Sequence, residues 1–294
     1  MTRITVEEAL QRASFRLQQV ALDQPRVEAE HILAHLMKLD RLQLILRREE
    51  ELQSAVEELL HHAVKRRSSG EPLAYITGEK YFYGYKFMVN REVLIPRPET
   101  ELIIDSALSW VETRSEGADD HKISGLDLGT GSGVLAITLA LKLPGATFWA
   151  LDLSAGALGI AQKNAALNCV DARITWQQGN YCEALDLVQP RPQFNLVVSN
   201  PPYISEKEFE SLPRNVKSYE PALALDGGED GLDSYRSILK GLPPYLQVSG
   251  LVLFEIGAAQ QGAVETLCRQ SGLFSEITWL YDLSGHPRVM KGYY

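Results

Sequence analysis

From about residue 120 onward, short apolar runs alternate with longer stretches of helical periodicity, and this alternation restricts the possible folds more than any other feature. The runs 123–128, 147–151, 173–177, 194–199, 251–256 and 276–281, with a last one near 288–293, have the length and composition of strands. Helices are expected at about 132–142, 155–168, 232–247 and 259–272. Such alternation predicts a mainly parallel sheet with helices on both faces. In sheets of this kind a ligand lies beyond the carboxyl ends of the strands, at the point where strand order reverses. The strand ends are therefore where chemistry should appear.

Four successive strand ends carry special residues. After the first comes Asp127-Leu128-Gly129-Thr130-Gly131-Ser132-Gly133, which opens a helix. Its glycines permit a tight turn and close approach of a ligand to the backbone. The spacing is Gly-x-Gly-x-Gly, which differs from the dinucleotide fingerprint. The second strand ends in Asp152, placed to accept hydrogen bonds from ribose hydroxyls. Together these two features point to an adenosine-containing cofactor. Tyr181 follows the third strand and could pack on an adenine ring, or simply fill a loop. The fourth strand runs into Asn200-Pro201-Pro202-Tyr203. Two prolines hold φ near about −65° and donate no N–H, so the ladder stops there. A carboxamide, a free carbonyl and an aromatic ring are left at the edge, a set suited to a planar nitrogen group with N–H donors.

The first 75 residues read as a small helical bundle, domain 1–75. Thr5 and Glu8 form a capping box ahead of Ala9, Leu10, Ala13 and Leu17. A second helix after Pro25 places Val27, Ala29, Leu33, Leu36 and Met37 near one face, and a third places Leu52, Val56, Leu59, Leu60 and Val64 on one face. Residues 76–96 read as a β-hairpin linker, rich in Tyr and Phe over 81–87 and extending to Ile95. The stretch Ile95-Pro96-Arg97-Pro98-Glu99-Thr100 then leads rigidly into a helix near Glu99, at the start of the main domain, 97–294.

Charge is uneven. Residues 1–80 hold 12 Lys and Arg against 13 Asp and Glu, whereas residues 97–294 hold 15 against 24. An acidic main domain is a poor partner for a phosphate backbone, so direct nucleic-acid binding is not expected. Apolar runs are too short to span a membrane, and the charged start at Met1-Thr2-Arg3 shows no signal peptide. Three scattered cysteines, Cys169, Cys182 and Cys268, suggest a reducing cytoplasm and no structural zinc. His31 and His35, one helical turn apart, are read as structural and not as metal ligands, and His61-His62 as a surface pair. Lys65-Arg66-Arg67 reads as a solvated basic helix end that suits the dipole. Glu206, Glu208 and Glu210 read as solvent-exposed.

The Asp127–Gly133 motif resembles the first motif of class I S-adenosylmethionine-dependent methyltransferases. Asn200-Pro201-Pro202-Tyr203 resembles the catalytic motif of those that methylate planar nitrogens: adenine N6, guanine N2 or glutamine amides. Pro96-Arg97-Pro98-Glu99-Thr100-Glu101, Glu220-Pro221-x-x-Ala224-Leu225 and Gly227-Gly228-x-Asp230-Gly231 narrow the likeness. So do Phe254-Glu255-Ile256-Gly257, Asp282-x-x-Gly285-x-x-Arg288 and the helical start. Over nearly the whole chain it is similar to the bacterial peptide chain release factor N5-glutamine methyltransferases, the PrmC/HemK family.

That resemblance implies a Rossmann-like methyltransferase sheet, S-adenosylmethionine as cofactor, and class I release factors as protein substrates. It implies that Gly129, Thr130, Gly131, Ser132 and Gly133 line the methionine moiety, Asp152 the ribose and Tyr181 the adenine. Asn200, Pro201, Pro202 and Tyr203 would hold the glutamine of a Gly-Gly-Gln loop, with Asn200 also bordering the cofactor. Asn180 stands where the family often has an acidic residue. The alternatives are methylation of a ribosomal-protein glutamine, adenine-N6 methylation of nucleic acid, and a non-catalytic cofactor-binding adaptor.

Overall fold

The computed structural model describes residues 4–115 and 122–294; the first three residues, and with them the charged start, lie outside. The chain divides into two compact units: Met1–Gly78 with Pro213–Tyr219, and Glu79–Leu212 with Glu220–Tyr294.

The first unit is helical: α1 (Val6–Gln18), α2 (Pro25–Met37), α3 (Arg41–Leu46), α4 (Ser54–Ser68) and α5 (Leu73–Thr77). Thr5 caps α1 and exchanges hydrogen bonds with Glu8, satisfying two backbone donors that a helix start leaves open. The i, i+3, i+4 spacing of Val6, Ala9, Leu10, Ala13 and Leu17 buries one face of α1 against Ala29, Ile32 and Leu33 of α2 and Leu60 and Val64 of α4. Leu59 differs from the periodic expectation: it is 53% exposed, and Ala63 takes the inward position. The basic end of α4 also differs. Arg66 makes two hydrogen bonds to Glu71, both 2.8 Å, and Arg67 grips Glu28 of α2 at 2.5 and 2.9 Å. Arg66 and Arg67 thus clamp the bundle, because carboxylates from distant sequence meet them. On α2, burial raises the Glu30 pKa, but hydrogen bonds from Arg26 and Arg41 outweigh it and the net shift is downward.

The second unit begins with a hairpin, β1 (Glu79–Phe82) and β2 (Tyr85–Met88), followed by α6 (Glu101–Ser115). Residues 89–95 do not extend the hairpin, despite their β-favouring side chains. Then come β3 (Ser124–Leu128), α7 (Val134–Lys142), β4 (Thr147–Asp152), α8 (Ala155–Leu167), β5 (Ile174–Gln178) and β6 (Phe194–Ser199). The short helix α9 (Glu206–Ser211) follows; α10 (Arg214–Lys217) belongs to the first unit, and the second resumes with α11 (Asp233–Gly241), β7 (Leu246–Glu255), α12 (Gln261–Ser271), β8 (Glu276–Tyr281) and β9 (Pro287–Tyr293). The sequence-based helix over 232–247 overshoots: Pro243-Pro244 end it in a short 3₁₀ turn, and strand β7 starts at Leu246.

Seven strands form one sheet in the order β5-β4-β3-β6-β7-β9-β8, with β9 antiparallel to both neighbours. Successive strands β3, β4 and β5 grow in one direction, and β6 returns to the other side of β3. The reversal therefore falls between β3 and β6, which pair in parallel through Leu128 and Ser199 at their ends. Every residue of β6 is buried, as expected for a strand covered on both faces. No helix among the described residues is long and apolar enough to cross a membrane.

Candidate active site

A cavity of about 600 Å³ opens at the strand-order reversal and is lined by Gly129, Gly131, Asp152, Tyr181, Asn200 and Thr100, among others. All of its lining residues belong to the second unit. Its size is that of a small-molecule or cofactor site.

The glycine loop forms its floor. The amides of Gly129 and Thr130 both donate to the Leu151 carbonyl, which folds the loop over the end of β4. Gly131 has φ +56°, and a Cβ there would meet nothing within 4 Å. Backbone conformation thus favours glycine, and the space a side chain would take is open. Beneath the loop, Asp127 accepts the Thr130 hydroxyl at 2.7 Å and the Ala136 amide at 3.1 Å. Thr130 is therefore committed to Asp127. The Asp127 side chain is fully buried, and burial pushes its pKa up to about 7. Asn164 of α8 joins Met88 and the Ser132 carbonyl, holding the hairpin against the loop.

Asp152 ends β4 with its carboxylate braced: Oδ2 accepts the Gly131 amide at 2.8 Å and Oδ1 the Ser154 amide at 2.9 Å. Burial raises its pKa, while hydrogen bonds from the Ser154, Gly131 and Leu153 backbones oppose the shift. Each oxygen has a further lone pair, so both can still accept a hydroxyl. Tyr181 lies beside the loop, and its phenol pKa is raised by burial. Asn180 also lines the cavity and bonds Glu183 at 3.2 Å.

At the end of β6, Ser199 donates its hydroxyl to the Leu128 carbonyl at 2.6 Å, tying the two strand ends together. Asn200 follows, and its side-chain nitrogen donates to the Thr100 hydroxyl at 3.1 Å. Pro202 lines the cavity with Asn200. Tyr203 is held from behind: Gln260 donates to its carbonyl at 2.8 Å and to the Gly231 carbonyl at 3.1 Å. A Cβ on Gly231, at φ +76°, would lie 2.5 Å from that Tyr203 oxygen. Only glycine permits this close approach. Burial raises the Tyr203 pKa above the usual phenol range. Arg97 bonds Glu220 at 2.5 Å, joining the Pro-Arg-Pro segment to the Glu220-Pro221 segment.

The sequence-derived candidates Gly129, Thr130, Gly131, Ser132, Asp152, Tyr181, Asn200 and Pro202 thus border one cavity, whereas Gly133, Pro201 and Tyr203 flank these residues without lining it. Sequence reasoning gave no role to Thr100, Glu255 or Gln260. Thr100 and Glu255 lie in motifs whose spacing is visible and Gln260 in none, but the function of each depends on contacts across more than 50 residues.

The residues fit an adenosyl sulfonium ligand: open space over Gly131, a braced carboxylate with free lone pairs, and an aromatic wall. Strand order, glycine loop and cavity define a class I S-adenosylmethionine-dependent methyltransferase, and the chain is an enzyme of that class. Residues 8–78 match the PrmC N-terminal domain, and residues 113–220 match the methyltransferase small domain. The chain is 40% identical over 271 residues to the release factor glutamine methyltransferase of Chlorobaculum tepidum, covering 92% of this chain and 90% of that protein. It is 39% identical over 290 residues to the protein of the same name from Moorella thermoacetica, covering 99% of each. Among solved structures, the hMettl16 catalytic domain in complex with a 3′UTR hairpin has a TM-score of 0.53 at 16% identity, with 82% of each chain covered; this is a likeness of fold. The chain belongs to the release factor glutamine methyltransferase family.

Proposed function

We propose that this enzyme methylates the side-chain amide nitrogen (N5) of the glutamine in the Gly-Gly-Gln motif of class I peptide chain release factors. The observation carrying this reading is that Asn200 shares one cavity with the glycine loop and Asp152, on neighbouring strand ends. The names of the full-length relatives support the substrate, and the match of residues 8–78 favours a release factor over a ribosomal-protein glutamine. An acidic second unit disfavours a nucleic-acid substrate.

S-adenosylmethionine supplies a methyl group carried on a positively charged sulfur. Gly129, Thr130, Gly131 and Ser132 would line its methionine portion, with Gly133 opening α7 behind them; Asp152 would accept the ribose hydroxyls, and Tyr181 would pack on the adenine. An amide nitrogen attacks poorly because its lone pair is delocalised into the carbonyl. The Asn200 side-chain oxygen and the Pro201 carbonyl accept the two N–H groups of the glutamine amide. They fix its direction and favour the positive charge that develops on nitrogen, with water excluded. Tyr203 stacks on the amide plane. The methylated nitrogen releases its extra proton to solvent after transfer, so no general base is needed for attack. The helical unit, residues 1–75, selects the protein substrate. A cytoplasmic site of action accords with three unpaired cysteines.

The decisive experiment is mass spectrometry of purified release factor after incubation with enzyme and cofactor. One added methyl on the Gly-Gly-Gln glutamine is the expected result. Methyl incorporation only at another residue, or none, would overturn the assignment.

A further inference from the structure

We propose that Thr100 and Glu255 are positioning residues that decide which end of the Asn200 amide faces the substrate. The inference rests on the acceptor role given to Asn200 above.

Strands β6 and β7 pair through Ser199 and Phe254, so Asn200 and Glu255 stand abreast at the two strand ends. Glu255 is 2% exposed, and Thr100, from the 3₁₀ turn before α6, is equally buried. The Thr100 hydroxyl donates to Glu255 Oε2 at 2.6 Å, and the Asn200 nitrogen donates to the Thr100 oxygen at 3.1 Å. A hydrogen bond from Asn200 also favours the ionised Glu255. A carboxylate has no proton to give. Ionised Glu255 therefore takes the single Thr100 proton, and the Thr100 oxygen can only accept. The Asn200 NH₂ is drawn inward, and its oxygen is left for the cavity. Protonation of Glu255 reverses the relay. The acid can donate to Thr100, Thr100 to the Asn200 oxygen, and the NH₂ then turns outward, donor against the donors of an incoming amide.

The surroundings make that exchange accessible. Burial pushes the Glu255 pKa up to about 7, opposed by the Thr100 hydrogen bond; the Glu99 charge raises it further, whereas Arg288 of β9 lowers it. Tyr203 and Tyr235 of α11 face the same carboxylate, and both phenols are held neutral by burial.

The test combines pH-dependent kinetics with ¹⁵N–¹H spectra of the Asn200 side-chain amide in the full-length enzyme. In the wild type, kcat should fall toward acid with a midpoint near the Glu255 pKa of about 7, and the Asn200 amide signals should shift with the same midpoint. E255Q, which does not titrate but keeps an acceptor oxygen, should abolish both transitions and leave the cofactor KM within about twofold, whereas E255M, which cannot accept the Thr100 proton, should lower kcat by about tenfold or more. T100V should resemble E255M, whereas T100S, which keeps the hydroxyl, should retain most of kcat. Wild-type kcat in E255M or an unchanged acid midpoint in E255Q would overturn the inference, as would Asn200 signals that ignore pH. Full activity in N200A would instead overturn the acceptor role itself, so the two failures are separable.

Discussion

The Asp152 carboxylate accepts the Gly131 amide at 2.8 Å, linking the end of β4 to the glycine loop. One side chain therefore braces the floor of the cavity and offers its remaining lone pairs to a diol. Replacing Asp152 by Ala removes both the brace and the acceptor. Hydrogen bonds to a charged group are each worth about 1.5–3 kcal/mol, so S-adenosylmethionine binding should weaken by about 10- to 150-fold. Titration calorimetry measures this directly, and undiminished affinity would remove Asp152 from the proposed site.

Asn200→Ala should separate binding from chemistry. Loss of one preorganised polar contact at a reacting centre lowers turnover by about 10²–10³-fold. Cofactor affinity should change little, because the glycine loop and Asp152 are untouched. A mutant as active as the wild type in single-turnover assays would refute the role.

The open space above Gly131 can be filled. Gly131→Ala forces a non-glycine residue to adopt positive φ, at a cost of about 1–2 kcal/mol in stability. Its methyl group also enters the region assigned to the cofactor. We expect at least tenfold weaker S-adenosylmethionine binding with a modest drop in melting temperature. Unchanged binding in the folded variant would exclude the cradle.

Two buried carboxylates should give stability an unusual pH dependence. Burial raises Asp127 and Glu255 each to about 7. Their unfolded values are about 4, so between pH 4 and 7 the native state holds more protons than the unfolded chain. Stability should therefore decline as pH rises through this window. Lowered carboxylates such as Glu7, whose pKa is depressed mainly by the Arg26 hydrogen bond, act in the opposite sense and at more acid pH. Urea midpoints across pH 4–8 should show the decline in the wild type and a flatter profile in the D127N/E255Q double variant.

Much of this arrangement can be read before any coordinates. Alternating strands and helices identify the sheet, and glycine spacing with the paired prolines marks two of its ends. Those signals are local, arising from φ restrictions and from periodicity. What escapes is cooperation over distance. Nothing near Thr100 says that its hydroxyl will sit between Glu255 and Asn200, because that depends on the β6–β7 register. Gln260 escapes for the same reason, being an ordinary helix-entry residue until Tyr203 and Gly231 fold against it. The basic end of α4 misleads differently: like charges in sequence imply a wet surface, yet Glu28 and Glu71 neutralise them in the fold.

The Ser199–Leu128 hydrogen bond has a wider consequence. It fastens together the two strands that bear the proposed methyl-donor and methyl-acceptor loops, and neighbouring strands are spaced by about 4.8 Å. The gap that a methyl group must cross is then inherited from the periodicity of the sheet, independent of loop length. Changes in the loops around the cavity would then leave that crossing distance where the strand spacing sets it.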